Sequence, residues 1–179
     1  MSLFRLIPLA LISLLLAGPA TAAPLWWSYM AQWDTIPGKT ELDLNLIERA
    51  PDPAYPVVVM AGTMYQGDPE QGLPLPADLP RLKALQDKTL ALIGKRTDYI
   101  FTGVHTYDGY QKYYAYVKKD AGLAKALKAL YLKECPGCKM DVIVREDKRW
   151  AVYKEFLFPN AMTRDHYRKE LQKIGFLPK

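Results

Sequence analysis

Cys135-Pro136-Gly137-Cys138 is the sharpest chemical feature of the sequence, and these are its only two cysteines. Pro-Gly favours a turn, which brings the two sulfurs within reach of each other. In an oxidising compartment such a pair closes as an intramolecular disulfide. The same spacing serves thiol-disulfide exchange, where the first cysteine is a stabilised thiolate and usually opens a helix. Here the pair follows a predicted helix, and the dipole at that end has the wrong sign for a thiolate. A structural disulfide is the expectation, with a small redox protein as the enzyme alternative. Zinc would need four ligands, and the histidines available to complete a set, His105 and His166, are remote in sequence and lack paired spacing. No metal or cofactor is expected.

Tyrosines form the second concentration. Tyr99, Tyr107, Tyr110, Tyr113, Tyr114 and Tyr116 crowd one predicted hairpin, with Lys112, Lys118 and Lys119 close by. Aromatics on an open sheet can stack nucleobases. The basic-Gly-aromatic signature of RNA-recognition modules is absent, and a formal charge of +5 is modest, so nucleic acid is not expected as a partner. Tyr107, Tyr110, Tyr113, Tyr114 and Tyr116 with Lys112 are the candidate binding residues, for a protein or small-molecule ligand; the competing reading is cross-strand pairs with dry rings and wet hydroxyls. Carboxylates are scattered, and the nucleophile-elbow, phosphate-loop, zinc-protease and calcium-loop motifs are absent. A catalytic set is not expected.

These residues must be positioned by elements that hydrophobic periodicity outlines. Trp26 to Trp33 suits a first strand, and Thr40 to Leu46 alternates Leu42, Leu44 and Leu46 with Glu41, Asp43 and Asn45, which predicts a half-buried strand with a solvated acidic face. Val57 to Ala61 is a continuous apolar run fit for a central strand. The Gly/Pro-rich stretch from Gly67 to Pro76 is the expected mobile loop. From Asp78 to Gly94, Leu79, Leu82, Leu85, Leu90 and Ile93 share one face of a helix that Asp78 can cap.

Tyr99 to Thr106 and Tyr110 to Lys118 then form a hairpin about Asp108-Gly109. A second helix after Asp120 carries Leu123, Leu127 and Leu130 on one face. Met140 to Arg145 and Trp150 to Phe158 read as another hairpin, followed by a last helix from about Asn160 that presents Tyr167, Leu171 and Ile174 inward. From Val57 to Arg145 the order is β-α-β-β-α-β, which predicts an α+β, ferredoxin-like antiparallel sheet with helices on one face. Extra N-terminal strands and a C-terminal β-α extension complete it.

The first residues read as an export signal. Arg5 precedes an apolar run from Leu6 to Ala17, shorter than the ~20 residues that span a bilayer. Gly18-Pro19 breaks it, and Ala20 and Ala22 are the small residues of an A-x-A cleavage site. Residues 1–22 are thus expected to be removed, leaving residues 23–179 as one periplasmic or secreted domain. Losing Arg5 lowers the formal charge of +5 to a mildly basic +4. No later stretch is long and apolar enough for a membrane span.

Several short blocks resemble, in order, those of the domain-of-unknown-function family 695. They are Gln32-Trp33-Asp34, Leu42 to Pro51, Gly72-Leu73, Gly109 to Val117 and Glu155-Phe156-Leu157-Phe158-Pro159. That family is in turn similar to the type B regulators of ribonuclease E activity, which act by binding an enzyme. The resemblance implies a non-catalytic role. This chain differs in carrying an export signal, which separates it from a cytoplasmic ribonuclease, and in ending soon after its last helix, where family members extend further. The expected function is an exported module that binds a protein or small ligand through the Tyr-rich hairpin and the loop at residues 67–76. The alternatives are the redox protein and a nucleic-acid-associated regulator.

Overall fold

A computed structural model describes residues 23–33, 36–68 and 71–179. The predicted signal peptide and its cleavage residues Ala20 and Ala22 lie outside the described residues. Six strands, β1 (Trp26–Trp33), β2 (Ile36–Asp43), β3 (Val57–Met64), β4 (Tyr99–Tyr107), β5 (Tyr110–Val117) and β6 (Met140–Glu146), form one antiparallel sheet in the order β1-β2-β4-β5-β3-β6. The β4–β5 turn is built on Asp108 and Gly109, both with positive φ, the pairing a two-residue hairpin turn requires.

Two cores flank the sheet because its strands are apolar on both faces. On one face, α1 (Leu79–Gly94) and α2 (Leu123–Glu134) pack Leu85, Ile93, Leu123, Leu127 and Tyr131 onto Val59, Ala61, Ala115 and Val117. Leu82, Leu85, Thr89 and Ile93 are the buried positions of α1, spaced as one helical stripe. The other face carries Trp27, Tyr29, Leu42, Val58, Tyr114 and Tyr116, and it is covered by C-terminal residues that include Trp150, Tyr153, Leu157 and Leu171.

That second cover corrects the sequence reading, which placed helices on one face and a strand at Trp150 to Phe158. Val152–Leu157 is a π-helical segment. Asp147 starts it: its carboxylate accepts from the backbone N–H of Ala151 and Val152, both at 2.9 Å, and from the Tyr116 hydroxyl at 2.6 Å. The fully buried residues Trp150, Tyr153 and Leu157 recur at helical spacing, so one stripe satisfies the core where alternation would leave half of the run exposed.

Two short helices, α3 (Ala161–His166) and α4 (Arg168–Lys173), follow in place of the one predicted, and Tyr167 breaks them. Leu171 is buried as expected, whereas Ile174 is exposed.

The second strand also ends earlier than Leu46. Asp43 accepts from the Leu25 N–H at 2.8 Å and the Asn45 N–H at 3.1 Å, turning the chain into a 3-10 helix at Leu44–Glu48. Asp43 is therefore a buried cap and not part of a solvated acidic face. Tyr167 blunts the free edge of β1, its hydroxyl donating to Met30 O and accepting from Met30 N. Among the described residues no helix is long and apolar enough to cross a membrane.

Candidate functional site

The Tyr-rich hairpin is mostly core. Tyr113, Tyr114 and Tyr116 are buried, whereas Tyr107 and Tyr110 beside the turn, and Tyr99 at the start of β4, are half-exposed. The Tyr113 hydroxyl donates to Leu82 O at 2.7 Å, tying the sheet to α1. Tyr116 stacks on Trp150 with ring centroids 4.0 Å apart, and Tyr114 lies 5.9 Å from Phe156. Burial pushes all three phenols well above the ordinary tyrosine range, which fixes them as neutral groups. Lys112 reaches over the bare backbone of Gly62 to pair with Asp141 at 2.6 Å. The candidate residues thus do not form a continuous open face for a ligand or for stacked bases.

His105 lies on the covered face of β4. Its Nδ1 is 2.9 Å from the Thr40 hydroxyl, and the Phe156 ring meets its imidazole edge-on at 4.9 Å. Burial, helped by the charge of Lys112, pushes its pKa down to about 4. His166 is exposed on α3. Among the described residues no three His, Cys, Asp or Glu side chains come together as a metal site.

Cys135 and Cys138 stand at disulfide distance just past the end of α2, with Cα atoms 5.4 Å apart. Sequence reasoning missed their neighbour. Helices α1 and α2 are linked by Lys88 with Glu134 and by Thr89 with Tyr131, which brings the first turn of α1 beside the last turn of α2. Arg81 thereby donates to Cys135 Sγ at 3.2 Å and Cys138 Sγ at 3.6 Å. The same guanidinium donates to Asp78 Oδ1 at 3.1 Å and Met64 O at 3.3 Å.

Asp78 also accepts from the Gln66 N–H at 2.7 Å; these two bonds, the Arg81 one first, hold its carboxyl below the usual range. The adjoining loop is pinned where it is described. Gly67 bridges to Pro74, and the Tyr65 hydroxyl donates to Gly72 O at 2.5 Å.

A third site went unread in the sequence. On the helix-bearing face α1 packs against α2 and β4, while Trp26 and Met30 of β1 are exposed there. The result is a cleft of about 500 Å³ with Trp26, Phe101 and Val104 as an aromatic and apolar floor. Ser28 and Glu41 of the sheet and Lys83 and Gln86 of α1 supply polar groups around it. This volume lies in the range of small-ligand pockets, which combine apolar walls with a few polar groups. The Trp26 and Phe101 rings are 5.3 Å apart and tilted by 36°.

The sequence did hold a signal for this cleft. Two adjacent tryptophans in a strand must face opposite ways. Trp27 is buried with its indole N–H donating to Glu170 at 2.7 Å, so Trp26 is the one turned outward.

A sequence profile described as Family of unknown function (DUF695) matches residues 25–158, a span that takes in all six strands above, α1, α2, the cleft and the cysteine pair. No curated protein and no solved structure matches the chain.

Proposed function

The chain belongs to the family of unknown function DUF695, and within it we propose an exported module that binds a small saccharide-type ligand in the Trp26 cleft without catalysing its conversion. The observation that carries this reading is Trp26 itself. It is 47% exposed beside the half-buried Phe101, although its strand neighbours Trp27 and Tyr29 are spent on the core.

An exposed indole adds nothing to core packing and offers a flat apolar plate. A pyranose presents a matching face of C–H groups and an edge of hydroxyls. Ser28 and Gln86 can donate to or accept from such hydroxyls, Glu41 can accept, and Lys83 can donate. Glu41 and Lys39 are paired beside the cleft, and Lys83 pairs with Asp87, so the rim is polar yet close to neutral. That balance favours an uncharged ligand over a nucleic acid. The A-x-A spacing of Ala20 and Ala22 and the apolar leader in the sequence support export, which would put the cleft in contact with extracytoplasmic glycans.

We also read β3-α1-β4-β5-α2-β6 as a ferredoxin-like unit. Its support is the antiparallel spatial order β6-β3-β5-β4 with both helices on one face, and β1 and β2 extend that sheet. The extension supplies Trp26, Ser28 and Glu41. On this reading the cleft sits where the added strands outrun the helical cover.

The test is tryptophan-fluorescence titration of the chain with soluble oligomers of glucose, N-acetylglucosamine and mannose, beside Trp26→Ala. Saturable binding to at least one oligomer, lost in a Trp26→Ala protein with unchanged thermal unfolding, is expected. No saturable response to any of them, or full binding by Trp26→Ala, overturns the saccharide site.

A further inference from the structure

The cysteine pair has a partner that a purely structural disulfide does not require. A disulfide needs no cation. A thiolate does, and Arg81 donates to both sulfurs from the neighbouring helix, closer to Cys135 than to Cys138. The two cysteines also differ in access: Cys135 is 8% exposed, and Cys138 is half-buried, with the exposed residues Pro136 and Gly137 before it. We propose that Cys135 and Cys138 are a thiol-disulfide exchange site in which Cys138 takes the incoming thiol and Arg81 holds Cys135 as the departing thiolate.

A thiolate from a small thiol or a thiol protein attacks Cys138 Sγ; a mixed disulfide forms there and the Cys135–Cys138 bond breaks. The electron pair of that bond leaves on Cys135 Sγ, beside the Arg81 guanidinium. A second thiolate then attacks the sulfur of the bound thiol, releasing the external disulfide, and Cys138 leaves as a thiolate that takes a proton from water. Two external thiolates are oxidised to one disulfide while the protein pair is reduced to the Cys135 thiolate and the Cys138 thiol. Run backwards, the site oxidises a dithiol substrate.

Arg81 is a positioning residue in this scheme, because it acts on the reacting centre through Cys135. The local field explains why it is needed. Cys135 closes the C-terminus of α2, its N–H bonded to Tyr131 O, where unpaired carbonyls disfavour negative charge. The guanidinium opposes that field, and Asp78, paired to the same guanidinium, moderates it. A leaving thiol of lower pKa departs faster, so the cation bears on rate as well as equilibrium.

The test uses the purified full chain and two readouts. In Cys138→Ser, the pH dependence of alkylation of Cys135 by iodoacetamide gives its titration midpoint. A midpoint below the free-thiol value of about 8.5 is expected. It should move up in Cys138→Ser/Arg81→Gln and return part of the way in Cys138→Ser/Arg81→Lys.

In glutathione redox buffers, Arg81→Gln with both cysteines intact should shift the pair toward the disulfide by about tenfold in equilibrium constant. A midpoint at or above the free-thiol value that does not respond to Arg81→Gln overturns the proposal. So does a pair that no glutathione ratio reduces in the folded native protein. Should Arg81→Gln fail to fold, the native midpoint and its response to Arg81→Lys decide the matter.

Discussion

Lowering the pH toward 4.5 protonates the His105 imidazole of the unfolded chain, and not that of the folded one, before the aspartates titrate. In the folded chain burial and Lys112 hold the imidazole at about 4, against an ordinary value of 6.5. Below pH 6.5 the unfolded chain therefore takes up a proton that the folded chain refuses, and stability falls until the folded group also titrates. At 1.36 kcal/mol per pKa unit, the loss between pH 7 and 4.5 is about 2.5 kcal/mol. Asp78 and Asp147, whose folded values are lowered, lose their contributions only as pH falls further, below the ordinary aspartate value of 3.8.

The assay is urea unfolding followed by tryptophan fluorescence at several pH values from 7 to 4.5. His105→Gln shifts every midpoint, because it alters the contacts with Thr40 and Phe156, but it should remove most of the slope with pH. Parallel pH profiles for the two proteins would refute the burial argument for His105.

Two further substitutions probe the frame. Asp147→Ala removes the acceptor for two backbone N–H groups and the Tyr116 hydroxyl in a buried setting, so thermal unfolding should register a loss of about 3 kcal/mol; a loss under about 1 kcal/mol would deny Asp147 its role in starting the π-helical segment. Gly62→Ala sets a Cβ 2.1 Å from Gln111 O and 2.8 Å from Lys112 Cα, both backbone atoms of the central strand β5. Chemical denaturation should show a loss of at least about 2 kcal/mol, and near-neutrality would contradict the close approach of β3 and β5.

The sheet was largely legible because local chemistry and pattern agreed. Asp108-Gly109 specifies its turn, Val57 to Ala61 has no polar residue to expose, and Leu82, Leu85 and Ile93 of α1 and Leu123 and Leu127 of α2 recur along buried stripes, although Leu79, expected on the same face, is exposed. Trp150 to Phe158 was misread because aromatic and β-branched residues suit strands, and here the burial of Trp150, Tyr153 and Leu157 at helical spacing overrode that preference. The tyrosines were misjudged for a related reason. A pattern cannot say which sheet face will be covered, and the C-terminal segment that covers Tyr114 and Tyr116 comes over thirty residues later. Arg81 and the Trp26 cleft depend on helix packing across the sheet, which no local window contains. The cysteine pair was read from spacing alone, and only its cation was missing.

The Trp26 cleft is most directly tested by following the indole N–H resonances of the 15N-labelled chain during titration with the tightest-binding saccharide oligomer. Trp27 also lines the cleft, but its indole N–H donates to Glu170, as that of Trp150 does to Tyr55 O, so both indole N–H groups are already held by protein acceptors. A ligand seated on Trp26 gives a saturable shift of the Trp26 resonance larger than any shift of Trp27, while that of Trp150 holds still. A Trp26 resonance that stays fixed through saturation of binding would contradict the placement of the site in this cleft.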